Sequence, residues 1–397
     1  MLLAFVVLII VLLHIQFFVR NILFGTDEVN FFTFTIRYLF DRNVVLDSLY
    51  FASGCIVALA LGYLIAHRLG RPRLRASSAT LTVERYALPL WPLVAAGLLQ
   101  VVVSLNLAIQ SGFTYQLIAE SQSEAGFIFE LRMIFLLLLS HLMLNVRLAE
   151  ILADRRFRTA RVITYLYIFT ALLMQARSRV FEVGAVLAFT QLMWHGDRLR
   201  FKYFVALAGA MIVPNIIVLG RLGWPEDIKA LLDGIFSFEY TVLFNNLLSA
   251  AIDAGPNMGG PFTFTPSMGL LLPSPIRALF GIDIVKSDYY TELSETANLR
   301  NGGFALLAEL YTNFGWYALV VLAFIGMLIG YLNARAMRVG RVSIAISAAP
   351  LLYTAFILAF RNDLGVFMKY AIQLLVITLI MQFLISAKVS HRKRKDA

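Results

Sequence analysis

Polar residues are sparse along most of this chain and arrive in clusters, between apolar runs long enough to cross the hydrocarbon core of a bilayer. About ten such runs can be drawn, at 1 to 19, 47 to 66, 88 to 109, 127 to 146, 162 to 176, 180 to 194, 203 to 220, 304 to 333, 343 to 360 and 365 to 386. They predict an all-α polytopic membrane protein of about ten transmembrane helices, a single integral membrane domain over 1–397. Composition agrees, because 15% of the residues are charged where a soluble domain carries about a quarter. The first run has no basic flank before it and no small-residue cleavage site after it, so it is expected to remain as a span.

Charge decides the orientation. The segments "HRLGRPRLR" (67–75), "RLAEILADRRFRTAR" (147–161), "DRLRFK" (197–202), "ARAMRVGR" (334–341) and "KVSHRKRK" (388–395) all fall on one side and, with Arg85, hold most of the 34 lysines and arginines. The positive-inside rule makes that side cytoplasmic, together with both termini. The net charge of +10 therefore reads as topology, with membrane lipid as the other contact for the basic tail, and not as nucleic-acid binding. Arg20, Arg37 and Arg42 oppose this locally. "VNFFTFTIRYLF" is too short and too charged to add a crossing, so 29–41 reads as an interfacial segment. A lone cysteine, Cys55, allows no intramolecular disulfide and suggests no metal site.

The longest external segment, 221–303 between spans seven and eight, contains more than half of the 11 prolines. "FSFEYTVLFNNLLSAAID" (236–253) reads as an amphipathic helix at the interface. The stretch 256–282 reads as a turn-rich cap, either a lid over an external site or a packed plug.

Candidate chemistry gathers at the external ends. "QARSRVFEVGAVL" sets Arg177 and Arg179 in the turn of a tight hairpin between spans of about 15 residues, "LGRLGW" adds Arg221, and "FRNDLG" adds Arg361 and Asp363. Helices that descend from that face present free N–H groups and a positive dipole end, and arginine suits phosphate oxygens, so the set fits a pyrophosphate. A bound anionic lipid fits it as well. In "NGGFALLAELYTNFGW", Glu309 and Asn313 share one helical face and Tyr311 turns away. Glu309 is either locked by a buried arginine or poised as a base. Lys369 neutralises Asp363 or Glu309, or holds a phosphate, while Glu182 is first read as a local ion pair with Arg179. His67, His141, His195 and His391 lie near cytoplasmic ends and His14 lies within the first span, so no external histidine base is expected.

"ELYTNFGWYALVVLAFIGMLIG" (309–330), "ARSRVFEVGAVLAF" (176–189) and "RNDLGVFMKY" (361–370) resemble, in the same order, segments of the Wzy O-antigen polymerases, the oligosaccharide repeat-unit polymerase group. The likeness covers roughly residues 160–375. It implies a bacterial inner-membrane enzyme with a glycosyltransferase C-like fold, acting at the periplasmic face on undecaprenyl-pyrophosphate-linked oligosaccharides without metal or other cofactor. It also implies a chain-length regulator and a flippase as partners. An Arg-x10-Gly spacing known in one branch of that family is missing at Arg177, Arg179, Arg221 and Arg361, and the external histidine of the related ligases has no counterpart.

Together these readings place pyrophosphate among Arg177, Arg179, Arg221 and Arg361, with Glu309 as base and Asp363 as the second choice. Tyr311, Asn313 and Lys369 position substrate. Two other classes stay in view, a lipid-linked oligosaccharide flippase and a non-catalytic scaffold of a polysaccharide assembly system. A flippase is expected to carry charge along a central path and some internal repetition, whereas these charges collect at one face.

Overall fold

The structure, a computed structural model, describes residues 7, 10, 11, 15–24, 28–31, 34–37, 40–70, 88–110, 132–146, 148–174, 177–195, 241–257, 262–263, 279–281, 292, 295, 305–336, 343–359 and 364–395. In chain order the elements are α1 (Gln16–Phe24), β1 (Glu28–Phe31), β2 (Phe34–Arg37), α2 (Arg42–Gly70), α3 (Trp91–Gln110), α4 (Arg132–Asn145), α5 (Leu148–Ala153), α6 (Arg158–Leu173) and α7 (Arg177–His195). There follow α8 (Thr241–Ala254), α9 (Leu306–Phe314), α10 (Ala318–Ala336), α11 (Ile344–Ser347), α12 (Ala349–Ala359) and α13 (Leu364–Lys395).

Four helical stretches are long and apolar enough to cross a membrane, Arg42–Leu69, Trp91–Gln110, Leu306–Ala334 and Phe367–Leu384, and Arg132–Asn145 and Ile344–Ala359 are shorter apolar helices. These coincide with expected spans two, three, eight, ten, four and nine. Spans five and six correspond to α6 and α7, while span seven at 203–220 lies outside the described residues. The outward faces are greasy: Val57, Leu61 and Ile65 on α2, Phe324 and Leu328 on α10, and Leu379 and Phe383 on α13 are all exposed. Water would not tolerate such continuous apolar faces and lipid does, so the chain is a helical membrane protein.

One small element accompanies the helices. Residues 28–37, within the stretch expected to lie at the interface, form an antiparallel hairpin with Glu28 opposite Arg37 and Phe31 opposite Phe34. Alternation in "EVNFFTFTIR" has the period of a strand, and ten residues are too few for a spanning helix.

The bundle is sealed most tightly between α2 and α10. A Cβ on Gly62 would overlap the carbonyl oxygen of Ala323, one on Gly326 that of Leu59, and one on Gly330 that of Tyr63. Backbones this close are held by dispersion and by Asn333, whose Nδ2 donates to the Tyr63 hydroxyl at 2.7 Å. The pairing of Leu59 with Gly326 and of Tyr63 with Gly330 shows that the two helices run parallel. So do α4 and α7, which meet at Arg132 and Glu182 near their starts and at Met143 and Thr190 near their ends. Phe356 against Phe367 makes α12 and α13 a tight antiparallel pair.

Of the helix expected over 236–253, the part from Thr241 is present as α8 while 236–240 lie outside the described residues, and Asn245, Asn246, Leu247, Leu248, Ser249, Ala250 and Ala251 are all buried. It packs against α9, α2 and α1, and the Ser249 hydroxyl meets that of Ser48 at 2.9 Å. These side chains are enclosed by protein. On the basic connector between α5 and α6, Asp154 accepts from the Arg156 backbone N–H at 2.8 Å and from its guanidinium, which holds the exposed Asp154 carboxyl below its usual range.

Candidate functional site

Every residue of α9 from Leu306 to Asn313 is buried, so its polar side chains must find partners inside the protein. Glu309, 2% exposed, accepts from the Thr263 hydroxyl at 3.2 Å through Oε1 and from the backbone N–H of Leu364 through Oε2. Asn313 closes the ring, because its Oδ1 accepts from the Thr263 N–H at 2.7 Å and its Nδ2 donates to the Thr263 hydroxyl at 2.8 Å. The i, i+4 spacing thus does place Glu309 and Asn313 on one face, where both grip the segment around Thr263. That segment is also held by Asn257, whose N–H donates to the Thr312 carbonyl at 2.8 Å, and by Phe262 against Phe314 at 5.5 Å.

Leu364 is the first residue of α13, so Glu309 supplies an acceptor to an N–H that the helix cannot satisfy itself. Tyr311 faces the other way and packs edge-on against Phe51 at 5.0 Å, with Trp316 at 5.5 Å from the same ring. Beyond Asn313 the helix breaks. Gly315 has φ +54, a conformation costly for any residue with a Cβ, and a 3-10 turn at Gly315–Tyr317 joins α9 to α10.

A second polar cluster lies about 9 Å farther along α13, judged from the helical rise between Leu364 and Tyr370. Here Arg132 of α4 donates through Nε to Glu182 Oε2 at 3.0 Å and through Nη2 to Oε1 at 3.1 Å, the two-pronged geometry of the strongest ion pairs. Arg132 also donates to the Tyr370 hydroxyl and lies 5.5 Å from the centre of that ring. Glu182 is therefore claimed by Arg132, fifty residues away, which replaces the local pairing with Arg179 expected from sequence. Arg179, 5% exposed, points into the bundle from the first turn of α7 and donates to Ser104 Oγ at 3.0 Å and to Met174 Sδ at 3.7 Å. It sits inside the helix and not in the connecting turn, because α7 begins at Arg177, three residues before the expected span.

The candidate residues thus divide. Glu309 and Asn313 are brought together, Arg179 joins the Arg132 cluster, and Lys369 lies half-buried on α13 next to Tyr370. Arg177 is the first residue of α7. Arg221, Arg361 and Asp363 lie outside the described residues, although Asp363 directly precedes the Leu364 amide that meets Glu309. Sequence reasoning missed Arg132, Thr263 and Tyr370. Arg132 lies inside the expected span 127–146, an intramembrane charge that marks a paired or functional position, and went unused.

His141 stands about 13 Å down α4 from Arg132 by helical rise, bonded at 2.8 Å to the Ser347 hydroxyl, so this histidine is removed from both clusters. Compared with known proteins, the chain matches no protein family, no curated protein and no solved structure. The fold is that of a helical membrane protein, with charged side chains buried or half-buried near the starts of α4, α7 and α9 and bonded to the first two turns of α13.

Proposed function

We propose that the chain is a membrane glycosyltransferase that joins undecaprenyl-pyrophosphate-linked oligosaccharide repeat units at the periplasmic face of the bacterial inner membrane, as the Wzy-type polymerases it resembles do. The observation that carries this reading is a buried carboxylate and a buried guanidinium cluster, both tied to the first two turns of one helix, α13. Acid–base and anion-stabilising groups side by side at one end of a bundle suit group transfer from a lipid-held leaving group better than passage through the bundle.

In this reading Arg177, Arg179, Arg221 and Arg361 hold the pyrophosphate of the growing chain. The hydroxyl oxygen of an incoming unit attacks the anomeric carbon, the bond from that carbon to the pyrophosphate oxygen breaks, and its electron pair leaves with the pyrophosphate. The hydroxyl proton passes to Glu309, or to Asp363 as the second choice, and one displacement inverts the anomeric centre. Two donors on Glu309 support its role as base by fixing the plane of the carboxylate. Asn313, Tyr311 and Lys369 position substrate. No cofactor enters the scheme, and a chain-length regulator and a flippase are its expected partners.

Purified protein reconstituted in lipid, given a matching lipid-linked oligosaccharide without metal, tests the reading. A product ladder spaced by one repeat unit, lost in Arg179→Ala, is the expected result. Movement of the intact substrate between leaflets with no ladder would replace the enzyme with a transporter.

A further inference from the structure

Helix α6 carries its outward side chains in one line, because Val162, Tyr165, Phe169 and Leu172 are all exposed and follow one another at the three- and four-residue steps of a single helical face. One turn before Val162 the same line begins with Arg158, and Arg155 stands just ahead in the 3-10 turn that leads into the helix, both of them exposed. The neighbouring α3 runs parallel to α6. Gly97 packs on Ile163 near their starts, and Leu107 and Ala108 cluster with Met174 beyond the end of α6. On α3 the exposed line is Trp91, Leu98, Val102 and Ile109. By helical rise Trp91 lies about 9 Å before Gly97 and Arg158 about 7.5 Å before Ile163, so the indole and the guanidinium share one level. Tryptophan and arginine at the end of an apolar face mark the border between hydrocarbon and head groups.

The arginines of this connector are not equivalent. Arg156 is held by Asp154, through Nε at 3.0 Å and Nη2 at 2.8 Å, and Arg161 donates to the Ile151 carbonyl at 3.0 Å and to that of Leu152 near the end of α5. These two lock the turn. Arg155 and Arg158 make no ion pair or side-chain hydrogen bond among the described residues, and the carboxylate next to them, Asp154, is already engaged. Between 148 and 161 four arginines face two acids, Glu150 and Asp154, so this end of the α3–α6 face is left with excess positive charge above a continuous apolar surface.

We propose that this end of the face binds one anionic phospholipid, with the phosphate on Arg155 and Arg158, Trp91 at the level of the ester groups and the acyl chains along Val102, Val162, Tyr165 and Phe169. Guanidinium suits phosphate oxygens, and here two of them stand free on the line that the acyl chains follow. A zwitterionic lipid offers the same phosphate but brings its own cation to the two arginines, so net charge discriminates between lipids. The positive-inside rule asks only for basic residues on this side, whereas the site asks for these two. It is independent of the polymerase reading.

The full chain in detergent is titrated with phosphatidylglycerol or with phosphatidylcholine, and bound lipid is counted by native mass spectrometry. Wild type is expected to hold one phosphatidylglycerol more tightly than any further lipid and to show no such step with phosphatidylcholine. Arg158→Gln is expected to weaken that step about fivefold, and Arg155→Gln with Arg158→Gln about thirtyfold. Arg68→Gln removes one exposed charge from the end of α2, on the same side, and leaves the step unchanged. All three positions are exposed, so the variants should melt close to wild type. Equal binding of the two lipids, or a double variant that holds phosphatidylglycerol like wild type, overturns the inference. So does a loss in Arg68→Gln equal to that in Arg158→Gln, which would reduce the effect to the overall charge of that side.

Discussion

Glu182 and Glu309 are both sealed inside the bundle, 3% and 2% exposed, and both lie within two turns of the start of their helices, yet their surroundings differ in kind. Glu182 is gripped by a guanidinium from α4 and a phenol from α13. Glu309 is met by the Thr263 hydroxyl and by the first amide of α13. A carboxylate clasped by arginine is chiefly charge balance, and removing it strands a cation. A carboxylate oriented by a hydroxyl and an amide is a positioned acceptor, and its neutral isostere still fills the place.

The largest effect should come from Glu182→Ala, which leaves Arg132 buried without its carboxylate. The expected loss is about 3–5 kcal/mol, read as a steep fall in melting temperature, and Arg132→Met with Glu182→Leu should recover most of it. Glu309→Gln should cost less, about 1–2 kcal/mol, because the amide oxygen still accepts one of the two donors. It should nevertheless abolish polymer formation in the reconstituted assay. Thr263→Val removes the hydroxyl that links Asn313 to Glu309 and should cost about 1 kcal/mol, with faster proteolysis near Thr263 as its mark. Smallest of all, Tyr311→Phe keeps the ring against Phe51 and should shift stability by about 0.5 kcal/mol or less. A Tyr311→Phe variant that lost activity while staying folded would move this residue from packing to chemistry.

The same contrast explains what could be read from the chain. The face shared by Glu309 and Asn313 was legible because four residues make about one helical turn. Arg179 was expected in the turn of a hairpin and is instead buried in the first turn of α7, because that helix starts earlier than the apolar run does. Partners were another matter. Arg132 meets Glu182 across fifty positions and Thr263 meets Glu309 across forty-six, and no local period encodes such pairs. The hairpin at 28–37 was hidden by a different fault, since its alternation was present but the segment was weighed for a membrane crossing, by length and charge, and not for strands. Gly326 and Gly330 carry the small-xxx-small spacing of a close helix contact, while the choice of Gly62 and Tyr63 on α2 as their partners came from the fold.

The most direct test of the central claim is one preparation of Glu309→Gln in lipid, divided between a melting curve and the polymerisation assay, with wild type alongside. A melting temperature within a few degrees of wild type and a lost product ladder are what a positioned base predicts. A ladder of normal length from the Glu309→Gln variant would contradict the account and leave Glu309 as a cap for α13.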